Sequence, residues 1–462
     1  MSRLLKPEGL RGQAMSQITP ELMLRLGKAA ALAIGRSCNH PPVFYLSHDP
    51  RLAADALEAA LSAGICAGGG QAHTLGMLPS AGMALMLTAE DAEAGISISG
   101  GDLPFEQVCV RLYAKSGALM SSEQLDSIAA LMQGGSVTPE GIGRGCGQIQ
   151  PQPDAPKRYL RLLGTRLTRP GLREKAKLRI ALDCANGAAS GLAESLFKLL
   201  GAEVLVLNDN PDGTNINQEC GVKKTDKLAE FVLDYNCCAG FAFDGDAARI
   251  VAVDETGETI DCDRCLAILC EDRLQEQANA PAMLPKTMLR GAAVTVETNL
   301  GFLRYAKSRD IPVHMTQPAQ QFMTERMRKL SLSFGGNGRG LIFTAESPAP
   351  DGLIAGAYLL QALQRTGKPM SELAAVMEHD PKSMCPARIP AYWKEIWKND
   401  PEISGFIAKC QEELGMDGRI VVRERREDAP VINVMVEGRD FRRVNSYMLA
   451  IAEKIQERTH RL

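Results

Sequence analysis

Ala242-Phe243-Asp244-Gly245-Asp246-Ala247-Ala248-Arg249-Ile250 is the stretch from which the rest of this chain is best read. An apolar strand delivers two carboxylates separated by one glycine, an arginine follows, and a second strand runs over 250–253. Gly245 permits a tight turn, and hard divalent cations take oxygen ligands that converge from such turns. With alternating carboxylates pointing the same way, Asp244 and Asp246 are candidate metal ligands. The same letters also read as a plain β-hairpin with acidic turn residues.

Working outward, 179–182 reads as a strand, 191–200 as a helix and 204–207 as a strand, which is a βαβ unit. Upstream, a strand at 43–46 precedes a helix at 53–67 and a break at Gly68-Gly69-Gly70. Downstream the pattern recurs at 293–296, 303–309 and 312–314. The alternation predicts three similar α/β layers built on parallel strands. Beyond 378–391 the character changes. Strands at 419–423 and 431–436 and a helix at 444–456 predict a small α+β cap. Pro- and Gly-rich seams then divide the chain into 1–156, 157–255, 256–375 and 376–462. There is no low-complexity tract and no solenoid-like period.

At 462 residues, the length suits about three to four domains. A hydrophobic share of 45% and a charged share of 23% are those of an ordinary globular protein. The net charge of −3 gives no footprint for nucleic acid or an anionic membrane surface. Apolar runs such as 29–34 are too short to span a bilayer. Residues 1–6 lack the apolar run of a signal peptide, so the expected location is cytoplasmic. The 13 cysteines are odd in number and scattered, as reduced thiols are. Cys262 and Cys265 form a C-x-x-C after Asp261. No second ligand pair lies nearby, so they read as a helix start rather than a zinc site.

The acidic stretch resembles the metal loop Asp-Gly-Asp-Ala/Gly-Asp-Arg of the α-D-phosphohexomutases, the phosphoglucomutase/phosphomannomutase superfamily. Other stretches are similar to bacterial phosphoglucosamine mutases. They are 182–190 (Leu-Asp-Cys-Ala-Asn-Gly-Ala-Ala-Ser), 208–217 (Asn-Asp-Asn-Pro-Asp-Gly-Thr-Asn-Ile-Asn), Gly9-Leu10-Arg11-Gly12, Ile18-Thr19-Pro20-Glu21, 57–64 and Val434-Met435-Val436-Glu437-Gly438. The resemblance implies an α/β fold of three similar domains plus a C-terminal α+β domain around a central cleft. It implies an intramolecular phosphotransferase, an isomerase of carbohydrate metabolism. A phosphoserine in the first domain would exchange its phosphoryl group with a phosphosugar. Mg²⁺ would sit on the second domain's aspartates, the third domain would read the sugar, and the fourth would grip phosphate. Arg11, Arg249, Asn337, Arg339 and Arg423 become candidate substrate- or phosphate-binding positions. Family members form homodimers, and some bind a membrane diadenylate cyclase. A heterodimer with an active paralogue is a further possibility of the same kind.

The functional loops depart from the family pattern. Against Ser-Ala-Ser-His-Asn-Pro-Tyr-Glu, this chain has Ser99-Gly100-Gly101-Asp102-Leu103-Pro104-Phe105-Glu106, which sets Gly101 at the phosphoserine position. Glycine has no oxygen with which to accept a phosphoryl group. Arg111 stands at the lysine position, and a permanently protonated guanidinium holds phosphate but is no general base. Ala248 fills the third aspartate position. Gly336-Asn337-Gly338-Arg339-Gly340-Leu341 replaces Gly-Glu-Gln-Ser-Gly-His. The sequence from Arg423 through Glu424, Arg425, Arg426, Glu427, Asp428 and Ala429 to Pro430 replaces Arg-Pro-Ser-Gly-Thr-Glu-Pro. Ser99 and Asp102 are offset from the lost serine by about 3.3 Å per residue. Catalysis is sensitive to misplacement on the order of 1 Å, so neither is expected to rescue the chemistry. His48 follows a strand and is expected on the surface. Losses concentrated in functional loops, with the scaffold motifs kept, point to a catalytically inactive homologue with a binding or regulatory role. The alternatives are a weak or divergent phosphohexomutase and a phosphosugar-binding sensor.

Overall fold

The computed structural model describes residues 5–6, 8–133, 145–168, 177–279, 289–337, 340–393, 396–424 and 430–460. By internal contacts the chain forms two units. One holds Met1–Thr295 and Ile311–Val376, the other Val296–Asp310 and Met377–Leu462.

The first unit carries three sheets. In the first, the spatial order is Leu10–Gln13, Gln107–Ala114, Ala94–Ser99, Val43–His48, Gln71–Met77, Ile149–Pro151. The second runs Thr259–Ile260, Ile250–Asp254, Ala239–Phe243, Arg179–Asp183, Glu203–Leu207. The third runs Val313–Thr316, Ala292–Thr295, Phe334–Asn337, Leu341–Thr344. The sequence reading anticipated parallel layers, and the centres are parallel. Each sheet nevertheless turns antiparallel towards one edge: Ala94–Ser99 pairs with Gln107–Ala114, Ala239–Phe243 with Ile250–Asp254, and Phe334–Asn337 with Leu341–Thr344. These connections are too short for a crossover helix, so they can only double back.

That doubling back positions the site. Residues 100–106 and 244–249 are the same connection in two repeats of one plan, each leaving a central strand for its antiparallel neighbour, and in the third sheet Gly340 precedes the corresponding antiparallel strand. The central strands are fixed by burial. Ala239–Phe243 is buried at every position, and Phe241 and Phe243 are 0% exposed. Such a strand can rest only between two covered faces.

Helix packing in the first layer depends on small residues. Helix Pro20–Gly35 starts on Thr19, whose hydroxyl accepts the Leu22 N–H at 3.3 Å, with Pro20 in the first turn. It lies against helix Ala54–Ala67 so closely that a Cβ at Gly27 would strike Leu61 O, and one at Gly64 would strike Leu24 O. Cys262 and Cys265 are buried in the first turn of helix Cys262–Asn279, and all the cysteines are free thiols.

The second unit is a three-stranded antiparallel sheet, Lys382–Arg388, Val431–Gly438, Gly418–Glu424, with helices Pro401–Leu414 and Phe441–His460. Its core joins Trp393, Trp397, Ile432, Val434, Val436 and Ile451. Helix Leu300–Ser308 belongs to this unit, although its sequence lies within the third α/β repeat.

Candidate functional site

The loops 100–106 and 244–249 meet in the first unit, and Gly340 reaches the end of the second of them. Gly245 N–H donates to Gly101 O at 3.2 Å, and Ile250 N–H to Gly340 O at 2.9 Å. Asn217 ties the first pair together: its Nδ2 donates to Gly101 O at 2.8 Å and Leu103 O at 2.9 Å, while its Oδ1 accepts Gly245 N–H at 3.0 Å. Behind the loop 100–106, Arg51 is fully buried. It donates to both oxygens of Asp49 and to the carbonyls of Pro104 and Gln107, and Asp49 in turn accepts Gly100 N–H at 2.9 Å.

Around this frame stand three carboxylates and three cations. Asp102 Oδ2 lies 2.8 Å from Lys223 Nζ and 2.9 Å from Arg249 Nη1. Asp244 Oδ1 accepts the backbone N–H of Ala248 at 2.8 Å and of Arg249 at 3.0 Å, and its Oδ2 lies 3.8 Å from Arg249 Nε. Asp246 is held by Ser80, through backbone N–H and hydroxyl, and lies 3.7 Å from Arg111 Nη1. Arg111 also donates to Ser99 Oγ at 3.1 Å. Burial pushes Asp244 up to about 6, with Arg249 opposing it, and burial likewise raises Asp246 against Arg111 and Ser80. For Asp102 burial also pushes upward, but Arg249 and Lys223 outweigh it and hold the carboxyl below its ordinary value.

The residues present do not fit a divalent cation. Asp246 is taken by Ser80 and faces Arg111, and Asp244 Oδ1 is taken by two backbone N–H groups, which leaves a single carboxylate oxygen of the pair, Asp244 Oδ2, for a metal ion that needs several. Gly101 supplies no side-chain oxygen, and its carbonyl is already taken by Asn217 and Gly245. Among the described residues no group of three or more His, Cys, Asp or Glu side chains is placed to hold a metal.

Family profiles for the phosphoglucomutase/phosphomannomutase alpha/beta/alpha domains I, II and III match residues 2–137, 157–257 and 261–379. The chain is 34% identical over 458 residues to the phosphoglucosamine mutase of Clostridium perfringens (strain SM101 / Type A), covering 99% of both chains. It is 33% identical over 462 residues to that of Clostridium novyi (strain NT), covering 100% of both. The chain belongs to the phosphohexomutase family. Its fold matches that of a phosphoglucomutase/phosphomannomutase family protein from Burkholderia thailandensis with a TM-score of 0.79 at 18% identity, covering 99% of this chain and 98% of that one. Aspergillus fumigatus N-acetylphosphoglucosamine mutase, solved in complex with GlcNAc-6P and magnesium, matches at a TM-score of 0.65 and 14% identity, covering 94% of this chain and 97% of that one.

Set against that phosphohexomutase frame, the structure brings Gly101, Arg111, Asp244, Asp246, Ala248 and Arg249 together. Arg11 is exposed on edge strand Leu10–Gln13, opposite Cys109. Asn337 is buried at the end of strand Phe334–Asn337, while Arg339 lies outside the described residues. Arg423, in the second unit, is ion-paired with Glu297. Beside it Glu424 accepts Trp397 Nε1 at 3.2 Å and lies 3.1 Å from Lys398 Nζ. Arg425, Arg426, Glu427, Asp428 and Ala429 lie outside the described residues. The expectation for His48 is corrected. It is buried at the end of its strand with Nε2 3.5 Å from Asp55 Oδ1, because the strand extends two residues further than the apolar run suggested. Sequence reasoning missed Lys223, Asn217, Ser80 and Glu297. Their partners lie far away in the chain, and only Asn217 sat in a stretch already singled out.

Proposed function

We propose that this phosphoglucosamine-mutase-like protein does not turn over phosphosugars and serves a binding or regulatory role. The observation that carries this reading is the loop 99–102. Position 101 has no acceptor oxygen, Ser99 is 1% exposed and bonded to Arg111, and Asp102 is held by Arg249 and Lys223. Neither neighbour is free to stand in for the missing serine. Covalent phosphoryl transfer needs an activated nucleophile facing substrate, and this loop presents none. Arg111, paired with Asp246, supports the same reading, since a guanidinium does not relay protons.

The deciding experiment supplies glucosamine 6-phosphate, glucose 6-phosphate or mannose 6-phosphate with Mg²⁺ and a trace of hexose 1,6-bisphosphate. The expected result is no turnover, with no phosphorylated residue at Ser99 or Asp102 by mass spectrometry. Turnover near the common enzyme median of about 10 s⁻¹ would establish a divergent mutase instead. The binding role, by family resemblance, is towards a second copy, an active mutase paralogue or a diadenylate cyclase. Co-expression with an active mutase followed by size-exclusion chromatography is the first test of partnership.

A further inference from the structure

Asp102 is tied down more firmly than a loop carboxylate needs to be. Lys223 Nζ contacts both its side-chain Oδ2 and its main-chain carbonyl, each at 2.8 Å, and Arg249 Nη1 reaches the same Oδ2 at 2.9 Å. The two cations come from different places: Lys223 from the short turn Gly221–Lys223, Arg249 from the end of the acidic loop. The carboxylate itself comes from the first sheet's loop, 121 residues from Lys223 in sequence. Two cations of different origin closing on one acidic oxygen are what an anion-binding notch looks like. Here the anion is part of the chain.

The charges around it balance. Asp102, Asp244 and Asp246 face Lys223, Arg249 and Arg111. No divalent cation is needed to offset the carboxylates, and no phosphate is needed to offset the cations. Asp244 and Asp246 are buried, and buried charges are tolerated only when paired.

We infer that Asp102 is a tethered anion. Its carboxylate occupies a Lys223–Arg249 notch that accepts a tetrahedral oxyanion such as inorganic phosphate when vacated, and so closes the seam between the loops 100–106 and 244–249 without metal or phosphate. This is a statement about binding and stability, so its test is separate from the turnover assay.

Full-length Asp102→Ala removes the carboxylate and vacates the notch. Its melting temperature is expected to fall by on the order of 2 °C. Millimolar inorganic phosphate is expected to restore it, relative to chloride at matched ionic strength, because a ligand stabilises only a fold that has a site for it. Wild type should show no phosphate effect beyond the chloride control, and no difference between Mg²⁺ and EDTA. Adding Lys223→Met to Asp102→Ala should abolish the phosphate response. The inference is overturned if phosphate raises wild type and variant equally, if the variant gains nothing from phosphate, or if Mg²⁺ stabilises wild type. Asp102→Ser serves should the alanine variant fail to fold. If both fail, wild type still decides: a rise in melting temperature on adding Mg²⁺ and phosphate together refutes a seam that closes without them, and no rise upholds it.

Discussion

Gly101 has φ +58°, a left-handed conformation that side chains rarely adopt, and a Cβ built there would meet Asp244 Oδ2 at 3.1 Å. Gly101→Ser therefore brings back the hydroxyl at a cost of about 1 kcal/mol in stability. It is expected to show no mutase turnover, because Arg111, Ala248 and the Asp102 pairs remain. Turnover by this single variant, with the same phosphosugars, Mg²⁺ and hexose 1,6-bisphosphate, would refute the argument from coordinated loss. Gly100 is constrained harder. A Cβ at that position collides with the Arg51 guanidinium, which cannot retreat while it holds Asp49 and the carbonyls of Pro104 and Gln107. Gly100→Ala should destabilise by about 2 kcal/mol in urea unfolding, within the usual range for overpacking.

Helix Gly352–Thr366 shows how an element is started by a buried acid. Asp351 Oδ1 accepts the N–H groups of Leu353 at 3.0 Å and Ile354 at 3.2 Å, and Oδ2 accepts the Tyr159 hydroxyl at 2.6 Å. Burial pushes this carboxyl up to about 6 despite those bonds. The folded state then binds the proton more tightly than the unfolded chain does. Stability from this group is greatest below the ordinary carboxylate value, falls as pH rises through about 4 to 6, and is flat above. Asp351→Asn keeps a capping oxygen and removes the titration. Its melting temperature relative to wild type should be higher at pH 8 than at pH 5. A difference between the two proteins that does not change with pH would show that burial is not what governs this cap.

At the scale of the molecule, helix Leu300–Ser308 is held to the sheet of its own, second unit by buried charge. Glu437 is 0% exposed; its Oε1 accepts Leu300 N–H at 2.9 Å and its Oε2 lies 2.7 Å from Arg419 Nη2. Asn299 bonds Asp380 from both sides, accepting its N–H at 3.1 Å and donating to its carbonyl at 3.0 Å. Glu437→Ala leaves Arg419 short of a buried partner and should cost about 3–5 kcal/mol. Hydrogen exchange should then speed up in the helix Leu300–Ser308 before it does in the sheets of the first unit. Uniform protection across both units would show that Glu437 is not what anchors that helix.

The layered fold was legible because its signals are local. Apolar runs such as 43–46 and 179–182 carry their meaning wherever they stand. The departure at Gly101 from the family's serine loop was legible too, since it is a fact about one residue. The charge pattern was not legible. Asp102 meets Lys223, Arg111 meets Asp246 and Arg423 meets Glu297 only because equivalent loops and distant segments converge in space. His48 was misplaced for a related reason, as a strand's end is set by the ladder it joins rather than by its own letters. The sequence by itself determined the family and the glycine at position 101. Only the tertiary structure decided that the vacated site is filled by its own ion pairs, because pairing depends on distances that chain order does not encode.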